Sequence, residues 1–392
     1  MTDMQLTIDL ATAHVAAVCL RTGPVERLGV ELEWLVRDAA DPAAPVPLDR
    51  VRQTVKDCGE LPGGGQLTCE PGGQLELSSG AGLGLAGCLA DTVADLRILR
   101  AAAHANNLDL IGYGLDPLRP PRRILDAPRY RAMAEYFAPY SPAGQLMMCS
   151  TASVQVCVDA GHGSGGDRWR LAHALGPVLV AAFANSALRE GRPTGWKSTR
   201  WAVWDALDPA RTRPVTLRAN EDLRGAYARY VLDAPVMCVR DGSGVWRVPQ
   251  GLTFRQWIAS PGVRPPGLDD LDYHLSTLFP PVRARGYLEL RMIDAQPGDG
   301  WQVPLAVVSA LMDDPVAASA ALAATEEVRG AWQAAARWGL STPVMARAAR
   351  ECFEAAAAAL ERTGAPAEVR SAVRDFREAY VERGRCPADD CL

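Results

Sequence analysis

The chain has only two lysines, Lys56 and Lys197, so nearly all of its basic residues are arginine. With the abundant Ala, Gly and Pro, this reads as the coding bias of a GC-rich genome and points to no function. No run of about 18 apolar residues occurs, which excludes a membrane-spanning helix. Asp3 and Asp9 precede the first apolar stretch where a signal peptide would carry a basic region, so secretion by that route is not expected. The ten cysteines form no Cys-x-x-Cys. The five histidines (His14, His104, His162, His173 and His274) have no zinc spacing and no His-Glu-x-x-His. There is no Walker A motif, and no Gly-x-Gly-x-x-Gly opens a helix. Gly112-x-Gly114 and Gly161–Gly166 read as turns. A bound nucleotide would therefore be held by metal and strand residues and not by a phosphate loop.

What remains is a globular chain of 392 residues, 48% hydrophobic and 22% charged, with a formal net charge of -5. The mild acidity argues against a nucleic-acid partner. Cys19, Cys69, Cys149, Cys157 and Cys238 lie in apolar runs and read as small buried hydrophobes in a reducing, cytoplasmic setting. Cys386 and Cys391 sit in a polar tail and read as free thiols, with pairing as the alternative.

Along the chain, spacing predicts a short helix over 8–20, a strand around Glu31, and a Pro/Ala/Asp linker from Asp41 to Leu48. A polar stretch and the turn Pro62-Gly63-Gly64-Gly65 lead to a strand around Glu70. That strand is broken by Pro71-Gly72-Gly73, so a bulge or tight bend is expected there. A helix follows from Leu85 to Asn106, a strand from Leu108 to Tyr113, and a helix from Pro128 to Ala138 with proline in its first turn. Gln145 to Asp159 reads as a strand, 167–186 as a buried helix, and Asn220 as the cap of a helix reaching Leu232. Val236–Val239 looks extended. Arg285–Asp294 is another strand, and from Trp301 onward the pattern is helical and Ala-rich. Each strand has one polar face. This favours an α+β fold with a mixed or antiparallel sheet, helices on one side and an open polar bowl on the other.

The bowl is where the chemistry gathers. In Gly29-Val-Glu-Leu-Glu-Trp34 the side chains of Val30, Leu32 and Trp34 oppose Glu31 and Glu33. In Glu70-Pro-Gly-Gly-Gln-Leu-Glu-Leu-Ser78, Leu75 and Leu77 oppose Gln74 and Glu76. Gln155 opposes Val154 and Val156, and Glu289 and Arg291 oppose Leu288, Leu290 and Met292. Two like charges about 4 Å apart cost roughly 4 kcal/mol at an effective dielectric near 20. With no lysine nearby, either the acids take up protons or a cation sits among them. Oxygen ligands without paired histidines suit Mg²⁺ or Mn²⁺, and Mg²⁺ so held commonly completes its shell with phosphates. The segment Gly191–Trp201, with Arg192, Lys197 and Arg200, has the composition of an anion-recognition loop or of a solvated connector. A carboxylate-pair glycosidase would need fewer acids.

Five segments in order resemble the plant-type glutamate–cysteine ligases and their actinobacterial relatives of ergothioneine biosynthesis. They are GVELEW at 29–34, EPGGQLELS at 70–78, CSTASVQVCVD at 149–159, ANSALREGRPTGWKSTRWAVWDALDPAR at 184–211 and YLELRMIDAQP at 287–297. The resemblance implies a glutamine synthetase-like catalytic fold, a curved, mostly antiparallel sheet with helices on its outer face, in one domain over 1–392, with a sheet-bearing core at about 25–300 and a helical layer at about 301–385. It implies ATP-dependent joining of the glutamate γ-carboxylate to the cysteine amine through a γ-glutamyl phosphate. It assigns Glu31, Glu33, Glu70, Glu76, Gln155 and Glu289 to metal, and Glu70, Gln155 and Arg291 to ATP. Glu76 and Arg291 take catalytic roles, and Arg200, Lys197, Trp204 and Thr151 contact substrates. Gln155 stands where more distant relatives have a histidine. A ligase for another amine, or a relative that binds without catalysis, remains open on the residues alone.

Overall fold

The computed structural model describes residues 6–162, 166–218, 221–240, 244–260, 262 and 264–391. Its strands are β1 (Arg27–Asp38), β2 (Gln66–Cys69), β3 (Leu75–Ser78), β4 (Gly82–Leu83), β5 (Leu108–Ile111), β6 (Ser153–Val158), β7 (Leu188–Arg189), β8 (Arg192–Pro193), β9 (Val282–Ala284) and β10 (Leu288–Asp294). The main sheet runs β2-β3-β1-β6-β10-β9, with β4 and β5 paired to the two ends of β1. Every pairing in it is antiparallel.

Alternation decides which face is dry. Val30, Leu32, Val154, Val156, Val158, Leu288 and Leu290 join one apolar core with Leu96 and Leu99 of the helix Gly84–Ala105. Val178 and Leu179 of the helix Gly166–Ala182 and Val308 of the helix Gln302–Asp313 belong to the same core. The C-terminal helices enter it through Phe353 and Leu360. The opposite face carries the acids. No single helix is long and apolar enough to cross a membrane among the described residues.

Two local devices shape the polar face. The first is the turn Glu70–Gln74, which folds β2 back on β3 as a hairpin, so the expected bend is a full reversal. Glu70 N–H donates to the Gln74 carbonyl at 2.8 Å. Gly73 has φ +90°, a left-handed backbone that suits glycine. A Cβ at Gly72 would lie 2.2 Å from the Cys149 carbonyl oxygen, so only glycine lets the turn dock there. The second device is a β-bulge in β10 between Leu290 and Ile293. Arg291 and Met292 together face the single position Gln155, and such bulges re-aim side chains.

Several expectations are corrected. Residues Ala143–Ser150 form a helix, and the strand is confined to Ser153–Val158. Seven of its eight residues are buried and only Gln145 is exposed, so no periodicity distinguished it from a strand. The polar stretch before the glycine turn is the helix Leu48–Cys58, which buries only Val51, Thr54 and Cys58. Asn220 lies outside the described residues, and the helix Leu223–Asp233 is capped by Asp222, whose side chain accepts from Gly225 N–H at 2.7 Å. Val236–Val239 belongs to no strand; its end makes one isolated bridge to Arg247. Gly161–Gly166 falls partly outside the described residues. All ten cysteines are free.

Candidate active site

A cavity of about 410 Å³ opens over the polar face of the sheet. One wall is acidic: Glu31, Glu33, Glu70 and Glu76, from β1, the hairpin turn and β3. The other is basic: Arg200, Arg283, Arg285 and Arg291, with Arg129 also lining the space. Register explains the acid wall, since Glu33 pairs across β1 and β3 with Glu76, and Glu31 pairs across β1 and β6 with Gln155.

Burial pushes Glu31 up to about 7, with Glu289 and Glu76 adding to it. Glu33 is likewise raised to about 7 by burial, against the pull of Arg200. Burial and the neighbouring Glu76 raise Glu70 to about 7. Burial and Glu33 raise Glu76, although its carboxylate accepts from Thr68 Oγ1 and Ser78 Oγ, both at 3.2 Å. These acids are under-neutralised as they stand. Among the described residues no three acids, thiols or imidazoles are drawn together closely enough to enclose an ion.

Glu289 differs from the other acids. It is fully buried and does not line the cavity. Arg283 holds both its oxygens, Nε donating to Oε2 at 2.9 Å and Nη2 to Oε1 at 2.8 Å, and Arg291 Nη1 also donates to Oε1. Burial alone would raise its carboxyl, but Arg283 and Arg291 outweigh that and hold it at about 2. As placed, it anchors the arginine wall and offers no oxygen to a metal. Gln155 departs from its expected role for a similar reason. Its carbonyl accepts from Arg291 Nη1, and its amide donates to Glu33 Oε1 at 3.0 Å, so it ties the two walls together. Gln74 is also spoken for, donating to the Met148 and Thr151 carbonyls at 3.4 and 3.0 Å.

Arg200 lies in the short helix Thr199–Asp205, 3% exposed, and lines the cavity. Its Nη2 donates to the Arg291 carbonyl at 2.9 Å, while its buried Nε has no partner. A buried guanidinium with an unused donor is an exception to the usual pairing of buried polar groups. Trp204 packs edge-on to Phe279, ring centres 5.5 Å apart, and the Arg291 guanidinium lies 6.0 Å from the Trp204 ring. Thr151 lines the cavity with its hydroxyl donated to the Met147 carbonyl at 2.7 Å. Lys197 does not line it. Ser198 caps the helix and turns the chain, and the Lys197 ammonium donates to Asp389 Oδ1 at 2.5 Å. As placed, it pins the C-terminal segment and does not reach the cavity.

Sequence reasoning missed Arg129, Arg283 and Arg285 and the apolar lining of Met133, Met147, Met148, Tyr130 and Phe279. Arg283 and Arg285 were legible: both share the parity of Glu289 in Val282-Arg-Ala-Arg285, and Arg283 pairs with Glu289 across β9 and β10. Arg129 had no signal, since it sits in a helix that only tertiary packing brings to the rim.

Residues 27–392 match Glutamate-cysteine ligase family 2 (GCS2). The chain belongs to this family. It is 43% identical over 386 residues to the glutamate–cysteine ligase EgtA of Mycolicibacterium smegmatis, covering 97% of this chain and 90% of that one. The chloroplastic glutamate–cysteine ligase of Arabidopsis thaliana is 30% identical over 81% of this chain and 64% of its own length. Among solved structures, the glutamate–cysteine ligase of Francisella tularensis in complex with AMP aligns with a TM-score of 0.56. That alignment covers 94% of this chain and 84% of that one at 11% identity, which speaks to fold alone. The family match runs through the C-terminal helices, where no motif was recognisable in the sequence.

Proposed function

We propose that the protein joins the γ-carboxylate of L-glutamate to the amine of L-cysteine, converting ATP to ADP and phosphate and yielding γ-glutamylcysteine for ergothioneine biosynthesis. The carrying observation is the acidic wall facing an arginine wall across one cavity. The first wall suits a metal–nucleotide, the second the phosphate and carboxylate groups that react. The curved antiparallel sheet backed by helices is the architecture we relate to the glutamine synthetase catalytic domain, with the whole chain acting as one unit. Ten free thiols suit a cytoplasmic setting.

As placed the acids do not enclose an ion, but their raised carboxyls and oxygen-only donor set suit a hard divalent cation, so Glu31, Glu33, Glu70 and Glu76 would hold Mg²⁺, or Mn²⁺ in its place. A cation held there would supply charge shielding between the ATP phosphates and the incoming carboxylate. Arg200, whose side chain lines the cavity, would grip a glutamate carboxylate and fix the substrate. The γ-carboxylate oxygen attacks the terminal phosphorus, and ADP departs. Arg291, held by Glu289 and Gln155, stands over the transferred phosphoryl group with Arg285 at the rim. The cysteine amine then attacks the acyl carbon, phosphate leaves, and the amine loses a proton. Trp204, Phe279 and the methionines exclude water, which would otherwise hydrolyse the acyl phosphate.

The test is ADP release with Mg²⁺, ATP and glutamate, adding single amines. Cysteine should give the fastest turnover. A much faster turnover with another amine would overturn the acceptor, and no response to any amino acid would overturn the ligase.

A pH effect follows from the acids. In the unfolded chain Glu31, Glu33 and Glu70 ionise near the ordinary 4.5, but in the metal-free fold only near 7. The folded state binds more protons in that window, so metal-free stability falls as pH rises from about 4.5 to about 7. Added Mg²⁺ needs ionised ligands, so it should raise the melting temperature more at pH 8 than at pH 5.5. Equal shifts at both pH values would remove these acids from the metal site.

A further inference from the structure

Asp294 ends the strand that carries Glu289 and Arg291, 1% exposed and without a role so far. Its Oδ2 accepts from the Asn185 N–H at 2.9 Å and from Ser186 Oγ at 2.7 Å, and its Oδ1 accepts from Ser198 Oγ at 2.9 Å. Each serine passes the contact on. Ser186 Oγ accepts from the Arg200 N–H at 3.1 Å, and Ser198 Oγ accepts from the Trp201 N–H at 3.1 Å, which caps the helix bearing Arg200. The Arg200 guanidinium stands 3.9 Å from Asp294 Oδ1, close enough for charge balance but beyond hydrogen bonding. Its Nε stays unpartnered. Gly114 makes room for Asp294, because a Cβ there would lie 2.4 Å from the Asp294 Cγ.

We propose that Asp294 is the positioning residue for Arg200. It fixes the backbone amides of Arg200 and Trp201 through two serines and balances the buried guanidinium without occupying its donor edge. The edge is thereby kept for a substrate carboxylate. A direct two-pronged ion pair would have consumed those donors, and a neutral partner would have left the buried charge uncompensated. An amide at this position would turn an NH₂ toward one of three donors and lose a bond. The inference rests on Arg200 as the glutamate grip.

The experiment compares Asp294→Asn, Arg200→Ala and the double variant, with KM for glutamate, KM for ATP, kcat and the melting temperature of each. Asp294→Asn should raise glutamate KM about 10- to 50-fold, with ATP KM within about 2-fold and kcat within about 3-fold. In the double variant the glutamate KM should match that of Arg200→Ala alone, because both act through one group. Ser198→Ala, expected to raise glutamate KM about 3- to 5-fold, serves if Asp294→Asn does not fold. An unchanged glutamate KM in these variants, or multiplied effects in the double variant, overturns the positioning role. If Arg200→Ala instead shifts ATP KM, the glutamate grip is wrong. Asp294→Asn must then shift ATP KM too, or the positioning role falls with it.

Discussion

Replacing Arg200 with alanine should raise the KM for glutamate about 100- to 1,000-fold while leaving the KM for ATP close to that of the parent enzyme. Truncating one partner of a buried, charge-assisted contact costs about 2–5 kcal/mol, and about 1.4 kcal/mol is a tenfold change. Arg200 meets the conditions for the upper part of that range: it is 3% exposed, and its Nε has no partner within the protein. The substitution also strands Asp294, so some loss of melting temperature is expected alongside the kinetic defect. Arg200→Lys keeps the charge but loses the planar fork, and should recover only part of the binding. Initial rates with glutamate and ATP varied in turn decide the matter. A defect confined to ATP would reassign Arg200 to the nucleotide.

The second large effect is expected at Glu76. Glu76→Gln keeps the shape and removes one negative charge from a wall where Glu33 is its cross-strand partner. Turnover with Mg²⁺–ATP should fall about 100-fold or more, which corresponds to roughly 2.7 kcal/mol of lost transition-state stabilisation. Stability should move the other way. Burial and Glu33 both raise the Glu76 carboxyl in the metal-free protein, so relieving that repulsion should leave the variant at least as stable as the parent at pH 8 without metal. Added Mg²⁺ should then stabilise the variant less than the parent. Lost activity with unchanged or improved metal-free stability separates a metal ligand from a residue that merely supports the fold. Undiminished turnover would take Glu76 out of the site.

The acid wall was legible because strand parity is strict. Once Val30, Leu32 and Trp34 are assigned to the core, Glu31 and Glu33 have one face left, and the same holds for Glu76 against Leu75 and Leu77. The electrostatic tension among them was legible too, and appears in the structure as carboxyls raised by burial and by each other. Parity could not show which polar groups consume one another. Glu289 and Gln155 occupy the expected face, yet Arg283 and Arg291 take their oxygens. Those contacts depend on the pairing of β9 with β10 and on the bulge at Arg291, which are properties of register and not of composition. Lys197 is three residues from Arg200, but the cap at Ser198 turns the chain between them and sends the ammonium to Asp389. The helix Ala143–Ser150 was invisible for a different reason, since a short helix with only Gln145 exposed leaves no apolar stripe to read.

The arginine wall changes the reading of the acidic strands. The acids do not sit in an isolated anionic bowl. They face a set of guanidiniums that is itself anchored by a buried glutamate, so the cavity is polarised from one side to the other. A metal–nucleotide and a pair of carboxylate-bearing substrates complement that polarity, whereas a hydrolase acid/base pair does not require it.

The central claim is that the glutamate γ-carboxylate becomes an acyl phosphate in this cavity. It is tested most directly by supplying glutamate labelled with ¹⁸O in the γ-carboxylate, together with ATP, Mg²⁺ and cysteine, and weighing the phosphate released. One labelled oxygen should pass into each phosphate formed, because the oxygen that attacks phosphorus leaves with it. Phosphate free of label, formed in step with γ-glutamylcysteine, would contradict the account.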